Sequence, residues 1–97
     1  EAEQYSKAET LLQNFLVVSP KNFIAQDLLT QVYRKQDKMA LMHATKAEVY
    51  ALLGAYPKAV DELQTAYNFV EDNPLLKKRM KGRILQLQEQ QEKLKRL

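Results

Sequence analysis

At 97 residues, with 45% apolar and 28% charged side chains, the chain suits one domain with a single modest core. It holds no cysteine, which excludes disulfides, thiol nucleophiles and cysteine-held zinc, and no run of about 18 apolar residues that would cross a membrane as a helix. The net charge of +3 is uneven: residues 1–74 carry seven basic and ten acidic groups (−3), and residues 75–97 carry eight basic and two acidic groups (+6).

The chain opens on Glu1, inside a helical pattern and without a signal peptide. It reads as one domain over 1–97 taken from a longer protein, so the compartment is not legible from its start. The first helix should run from about Ala2 to Val18, with Tyr5, Ala8, Leu12 and Phe15 along one side. Ser19-Pro20-Lys21-Asn22 is a stop and a turn, because the residue before proline avoids the helical region. The second helix should cover about Phe23 to Gln36 with Asn22 as N-cap, and Asp37-Lys38 turns the chain into a third helix over about Met39 to Leu53. Gly54 suits the left-handed residue that ends it, and Pro57 suits the first turn of a fourth helix reaching about Val70. Glu71-Asp72-Asn73-Pro74 combines a cap with a helix-starting proline, so a fifth helix begins there and continues to about Lys95. Within it, residues 75–97 form a basic closing helix. Leu87, Leu94 and Leu97 give its tail a narrow apolar stripe that suits an array's capping element, with fraying expected beyond about Gln90. No stretch alternates long enough to be a strand.

These helices repeat every seventeen residues. Ala8, Ala25, Met42, Ala59 and Leu76 form one column; Leu12, Leu29, Lys46, Leu63 and Met80 a second; Leu16, Tyr33, Tyr50, Tyr67 and Ile84 a third. Lys46 is the one charged member. Within a segment the three positions are four residues apart and share one helical face. The expectation is an all-α antiparallel array of about five helices, whose half-repeat ends expose apolar edges that invite pairing between copies. Tyr33, Tyr50 and Tyr67 should pack between helices with each hydroxyl partnered; a groove-lining ladder is the alternative.

Two helices make a unit of roughly 34 residues, and His43–Pro74 resembles a tetratricopeptide repeat. Ala47 and Tyr50 hold the spacing of that family's small residue and tyrosine, Gly54 and Tyr56 its turn, and Ala59, Leu63 and Ala66 its second helix. His43 and Lys46 depart from the pattern, and Pro74 comes three residues late. The first helix also resembles a second-helix half-repeat, although strict alternation gives the first and fourth helices opposite roles; which helices line the concave face stays open. A narrower resemblance covers about residues 23–90. Met42-His43, Ala47-Glu48, Tyr50 and Gly54, then Ala59-Val60, Leu63 and Ala66, and the closing Arg79-Met80-Lys81-Gly82-Arg83-Ile84 with Leu87 are similar to the C-terminal repeat domain of BepA-like zinc metallopeptidases of the Gram-negative periplasm. The resemblance implies a periplasmic location, a protease domain N-terminal to the repeats, and repeats that dock on the outer-membrane protein assembly machinery and present misassembled substrates.

The residues themselves point away from chemistry. A zincin helix needs two histidines four apart beside a glutamate, and the chain has one histidine, so it is expected to hold no metal or other cofactor and to bind no small-molecule substrate. His43 reads as a partly buried histidine near a helix start. Asp61-Glu62 and Glu71-Asp72 read as solvated helix-terminal groups, because adjacent carboxylates point apart on a helix. Gly54 and Gly82 are isolated, which leaves no phosphate loop, and Ser6 and Ser19 lie in no nucleophile context.

The function these residues suggest is protein–protein recognition by burial of a partner segment in a groove. Asp27, Gln31, Arg34 and Lys35 form a polar set on the second helix. Lys46 either snorkels to water or marks the groove's rim. Lys77, Lys78 and Arg79, with Lys81 and Arg83 close behind, are either a solvated face of the closing helix or a site for an acidic partner or anionic surface. Nucleic acid is disfavoured by the acidic body and the lack of interleaved aromatics. Two other readings of the whole are a cytosolic adaptor with no protease attached and a nucleic-acid or anionic-surface binder that acts through the basic closing helix.

Overall fold

Each helix forms where its caps place it. The computed structural model describes Glu1–Leu97 as five α-helices without a strand: α1 Ala2–Val18, α2 Phe23–Lys35, α3 Met39–Leu52, α4 Tyr56–Phe69 and α5 Pro74–Lys95. Asn22 caps α2 by accepting the Ala25 N–H at 2.9 Å, and Asn73 caps α5 by accepting the Leu76 N–H at 3.0 Å. The ends of α2 and α3 share one backbone solution. At α3, Gly54 adopts φ +76°, its N–H bonds the Ala51 carbonyl at 3.0 Å, and the Ala55 N–H bonds the Tyr50 carbonyl at 2.9 Å. At α2, Asp37 takes the same role with φ +57°, its N–H on the Arg34 carbonyl at 3.1 Å and the Lys38 N–H on the Tyr33 carbonyl at 3.0 Å. Both are Schellman caps, one built on glycine and one on an aspartate, which enters the left-handed region at more cost than glycine but less than most residues. The expected ends Gln36, Leu53 and Val70 are the capping residues themselves, so α2, α3 and α4 each stop one residue short of the sequence reading.

The helices pack in chain order, α1 on α2, α2 on α3, α3 on α4 and α4 on α5, with the most extensive interface between α3 and α4. Short connections make successive helices antiparallel, and stacking by nearest neighbours draws the molecule out to 47 × 30 × 19 Å. Of the fifteen column positions, Leu16, Ala25, Leu29, Tyr33, Met42, Ala59, Leu63, Met80 and Ile84 are buried and none of the rest is fully exposed. The core forms two clusters. Leu16, Ala25, Leu29, Tyr33 and Met42 join α1, α2 and the start of α3. Ala47, Ala59, Val60, Leu63, Ala66, Val70, Met80, Ile84 and Leu87 join α3, α4 and α5. Ala47, Ala59 and Ala66 are 0% exposed, which lets the α3 and α4 backbones approach closely. A polar clasp holds α1 to the turn before α3: Glu9 accepts from Lys38 Nζ at 2.8 Å and from Gln13 at 3.1 Å, and the Gln13 amide also donates to the Tyr33 hydroxyl at 2.8 Å.

Two expectations need correction. Phe15 is 46% exposed, and Leu16, four residues on from Leu12, takes the inward position instead. The tail stripe packs only at Leu87; Leu94 and Leu97 face solvent. At 1.5 Å per residue, α5 extends roughly 33 Å against roughly 21 Å for α4, so its last turns outreach the helix that would cover them.

Candidate functional site

Asp27, Gln31, Arg34 and Lys35 recur at helical spacing, so α2 turns all four to one side. That side meets α3 at Lys46, Val49 and Tyr50, and with Thr30 these residues line an open cleft of about 460 Å³. The cleft thus gathers five of the eight residues singled out from the sequence. Its polar groups are unequally occupied. Thr30 donates its hydroxyl to the Gln26 carbonyl at 2.9 Å, and the Gln31 amide donates to Asp27 Oδ2 at 3.0 Å. Lys46 Nζ lies 3.5 Å from Glu62 Oε1 and 6.0 Å from the Tyr50 ring centroid. Arg34 and Lys35 are exposed and take part in no ion pair or side-chain hydrogen bond.

Tyr50 joins this cleft to a smaller hollow of about 220 Å³ between α3 and α4, lined also by His43, Lys58, Asp61, Glu62 and Thr65. Lys58 Nζ stands 5.8 Å from the Tyr50 centroid. His43 is half-buried. Its Nδ1 is 3.0 Å from Glu62 Oε2, and its ring stacks on Phe69 with centroids 5.6 Å apart. Glu62 corrects the sequence reading. Asp61 is solvated, but the Glu62 side chain keeps only 17% of its surface and meets both His43 and Lys46. One carboxylate between two α3 side chains is a tie between α3 and α4. No cluster of three or more His, Asp or Glu side chains is arranged to hold a metal ion.

The opposite side of α3 has a different neighbour. Glu48, two residues and roughly 200° round the helix from Lys46, faces α5. There Arg83 grips it with two parallel hydrogen bonds, Nε to Oε2 at 2.9 Å and Nη2 to Oε1 at 2.7 Å. The Glu48 carboxylate raises the Arg83 pKa above its ordinary value, against the opposing effect of burial. Around this pair lies a second hollow of about 460 Å³ that includes Pro20, Lys21, Ala51, Leu52 and Tyr56.

Lys77, Lys78 and Arg79 are not part of either surface. They are consecutive on α5 and point roughly 100° apart, so they form no single face. Lys77 Nζ sits 4.7 Å over the Tyr67 ring, while Lys78 and Arg79 are exposed. The tyrosine column is corrected in part. The Tyr33 hydroxyl has its Gln13 partner and burial raises its pKa, but Tyr50 and Tyr67 lie under ammonium groups instead of hydrogen-bonding. The sequence reading missed Thr30, Val49 and Lys58. Val49 and Tyr50 follow Lys46 at helical spacing, a signal that was available; Lys58 belongs to another helix and left none.

The chain matches no protein-family model, and no curated protein matches it at a significant level.

Proposed function

We propose that this chain is a non-catalytic protein-recognition module, the C-terminal repeat region of a BepA-like periplasmic zinc peptidase, which holds a segment of a partner protein in the α2–α3 cleft. The peptidase assignment rests on the sequence resemblance, and with it the periplasmic location and an outer-membrane assembly partner. The recognition assignment is supported by one observation above the others. Asp27, Gln31, Arg34, Lys35 and Lys46 converge on one open cleft, and two of its cations have no partner within the chain. An open cleft of this size, lined mostly by polar and charged side chains with Val49 and Tyr50 as its apolar part, suits a short peptide segment. The α5 cations, divided among several directions, favour no separate nucleic-acid reading.

The test is site-specific photo-crosslinking in cells from Val49, which lines the cleft, and from Lys78, on α5. Adducts from Val49 to outer-membrane assembly proteins are the expected result. Adducts only to cytoplasmic proteins would replace the peptidase reading with the cytosolic adaptor, and adducts from Lys78 alone would remove the cleft from the account. An HExxH helix encoded upstream is expected in the parent gene.

A further inference from the structure

We infer that the segment held in the α2–α3 cleft is an acidic peptide, with carboxylates that pair with Arg34 and Lys35 and an apolar side chain seated on Val49 and Tyr50. This inference rests on the cleft being the docking site and specifies the chemistry of what docks there. Three cations, Arg34, Lys35 and Lys46, face one carboxylate, Asp27, which already accepts from Gln31. The positive excess is local, because residues 1–74 as a whole carry −3. Lys46 has a carboxylate of its own in Glu62, which leaves the Arg34 and Lys35 head groups as the donors free to engage a ligand. An arginine fork matches a carboxylate with two parallel hydrogen bonds, and the chain already shows this geometry between Arg83 and Glu48.

The single aromatic ring of the cleft disfavours the opposite sign. Lys46 and Lys58 stand 6.0 and 5.8 Å from the Tyr50 centroid, so the ring already has cations against it and offers no cage to a basic side chain. A single-stranded nucleic acid would need aromatic faces on which successive bases stack, and this cleft has one ring, flanked by lysines. Arg34 and Lys35 also complement the carbonyl end of α2, an effect that a stability measurement reads separately from binding.

The experiment is selection of a random displayed-peptide library on the intact 97-residue chain, followed by fluorescence anisotropy of the recovered peptide. The expected result is enrichment of sequences that combine glutamate or aspartate with apolar residues. Binding should weaken roughly 5- to 30-fold with the Arg34→Gln, Lys35→Gln double variant, which stays folded with a Tm lowered by the two charges lost from the carbonyl end of α2, and as much when the peptide's acidic residues become amides. It should weaken further as salt is raised. A Lys78→Gln, Arg79→Gln variant should bind as the parent does. Neutral peptides that compete for the cleft and are lost with Val49→Asp would overturn the acidic chemistry and leave the docking site standing. Acidic peptides sensitive only to the α5 variant would overturn the site. Failure to enrich any peptide would overturn both, and a dT20 oligonucleotide that binds more tightly than the peptide and depends on Arg34 and Lys35 would overturn the peptide chemistry and leave the cleft as the site.

Discussion

Leu63→Ala is the sharpest test of the packing. Leu63 is 2% exposed at the middle of α4, within the cluster that joins α3, α4 and α5. Truncation removes about three methylene-sized groups, a transfer loss of about 2.4 kcal/mol. The cavity left behind adds to this, and Leu→Ala changes in packed cores cost about 2–5 kcal/mol. The upper part of that range applies because Ala47, Ala59 and Ala66, members of the same cluster, have no side chain that can swing into the space. We expect a loss of about 3–4 kcal/mol. With an unfolding entropy of about 0.2 kcal/mol/K for a chain this long, Tm should fall by about 15 °C or more. Leu11→Ala, at a position 71% exposed, should change stability by less than about 0.5 kcal/mol. Thermal and urea unfolding followed by far-UV circular dichroism measure both variants. Equal shifts for the two, or a Leu63→Ala shift below about 5 °C, would refute the account of a core built on the seventeen-residue columns.

Other expectations concern single sites. Gly54→Ala should cost about 1 kcal/mol, because φ +76° strains any side chain, whereas Gly82→Ala should stabilise by about 0.5–1 kcal/mol, since a Cβ there meets nothing within 4 Å; paired Tm measurements should show opposite signs. Asp37→Gly should raise Tm, as glycine relieves the left-handed φ +57° at the end of α2, and an unchanged or lower Tm would show the aspartate to be at ease there. The hydrogen bond from Lys38 holds the Glu9 pKa below its ordinary value of 4.5, against the opposing effect of burial. A depressed folded pKa gives stability that is present above 4.5 and lost as pH falls through the folded value, so Tm should drop on acidification through that window and drop less in Glu9→Gln. Hydrogen exchange should show α1 and α2, whose cluster is the smaller, opening before α3 to α5.

Much of the fold was legible because its signals are local. Asn22, Gly54 and the Asn73-Pro74 pair act on backbone groups within a few residues, so a reader of the chain meets cause and effect together. The cleft was legible on the α2 side for the same reason: Asp27, Gln31, Arg34 and Lys35 share a face of one helix whatever it packs against. The ties between helices were not. Arg83 and Glu48 are 35 residues apart and His43 and Glu62 are 19 apart, and nothing in either stretch names its partner. Glu62 reads as a solvated acid beside Asp61 until α3 is laid across it.

From its residues alone, the chain determined five helices, the caps at Asn22, Gly54 and Asn73 and the columns that face inward, because helical periodicity and capping are short-range properties of the backbone. Tertiary structure alone decided which polar groups are already consumed and which stay open. It set Lys46 beside Glu62 and Tyr50, sent Arg83 to Glu48, left Arg34 and Lys35 without partners, and carried Leu94 beyond the reach of α4. Those outcomes depend on how far one helix extends past another and at what rotation they meet, and these are set by the summed packing of all the interior columns at once.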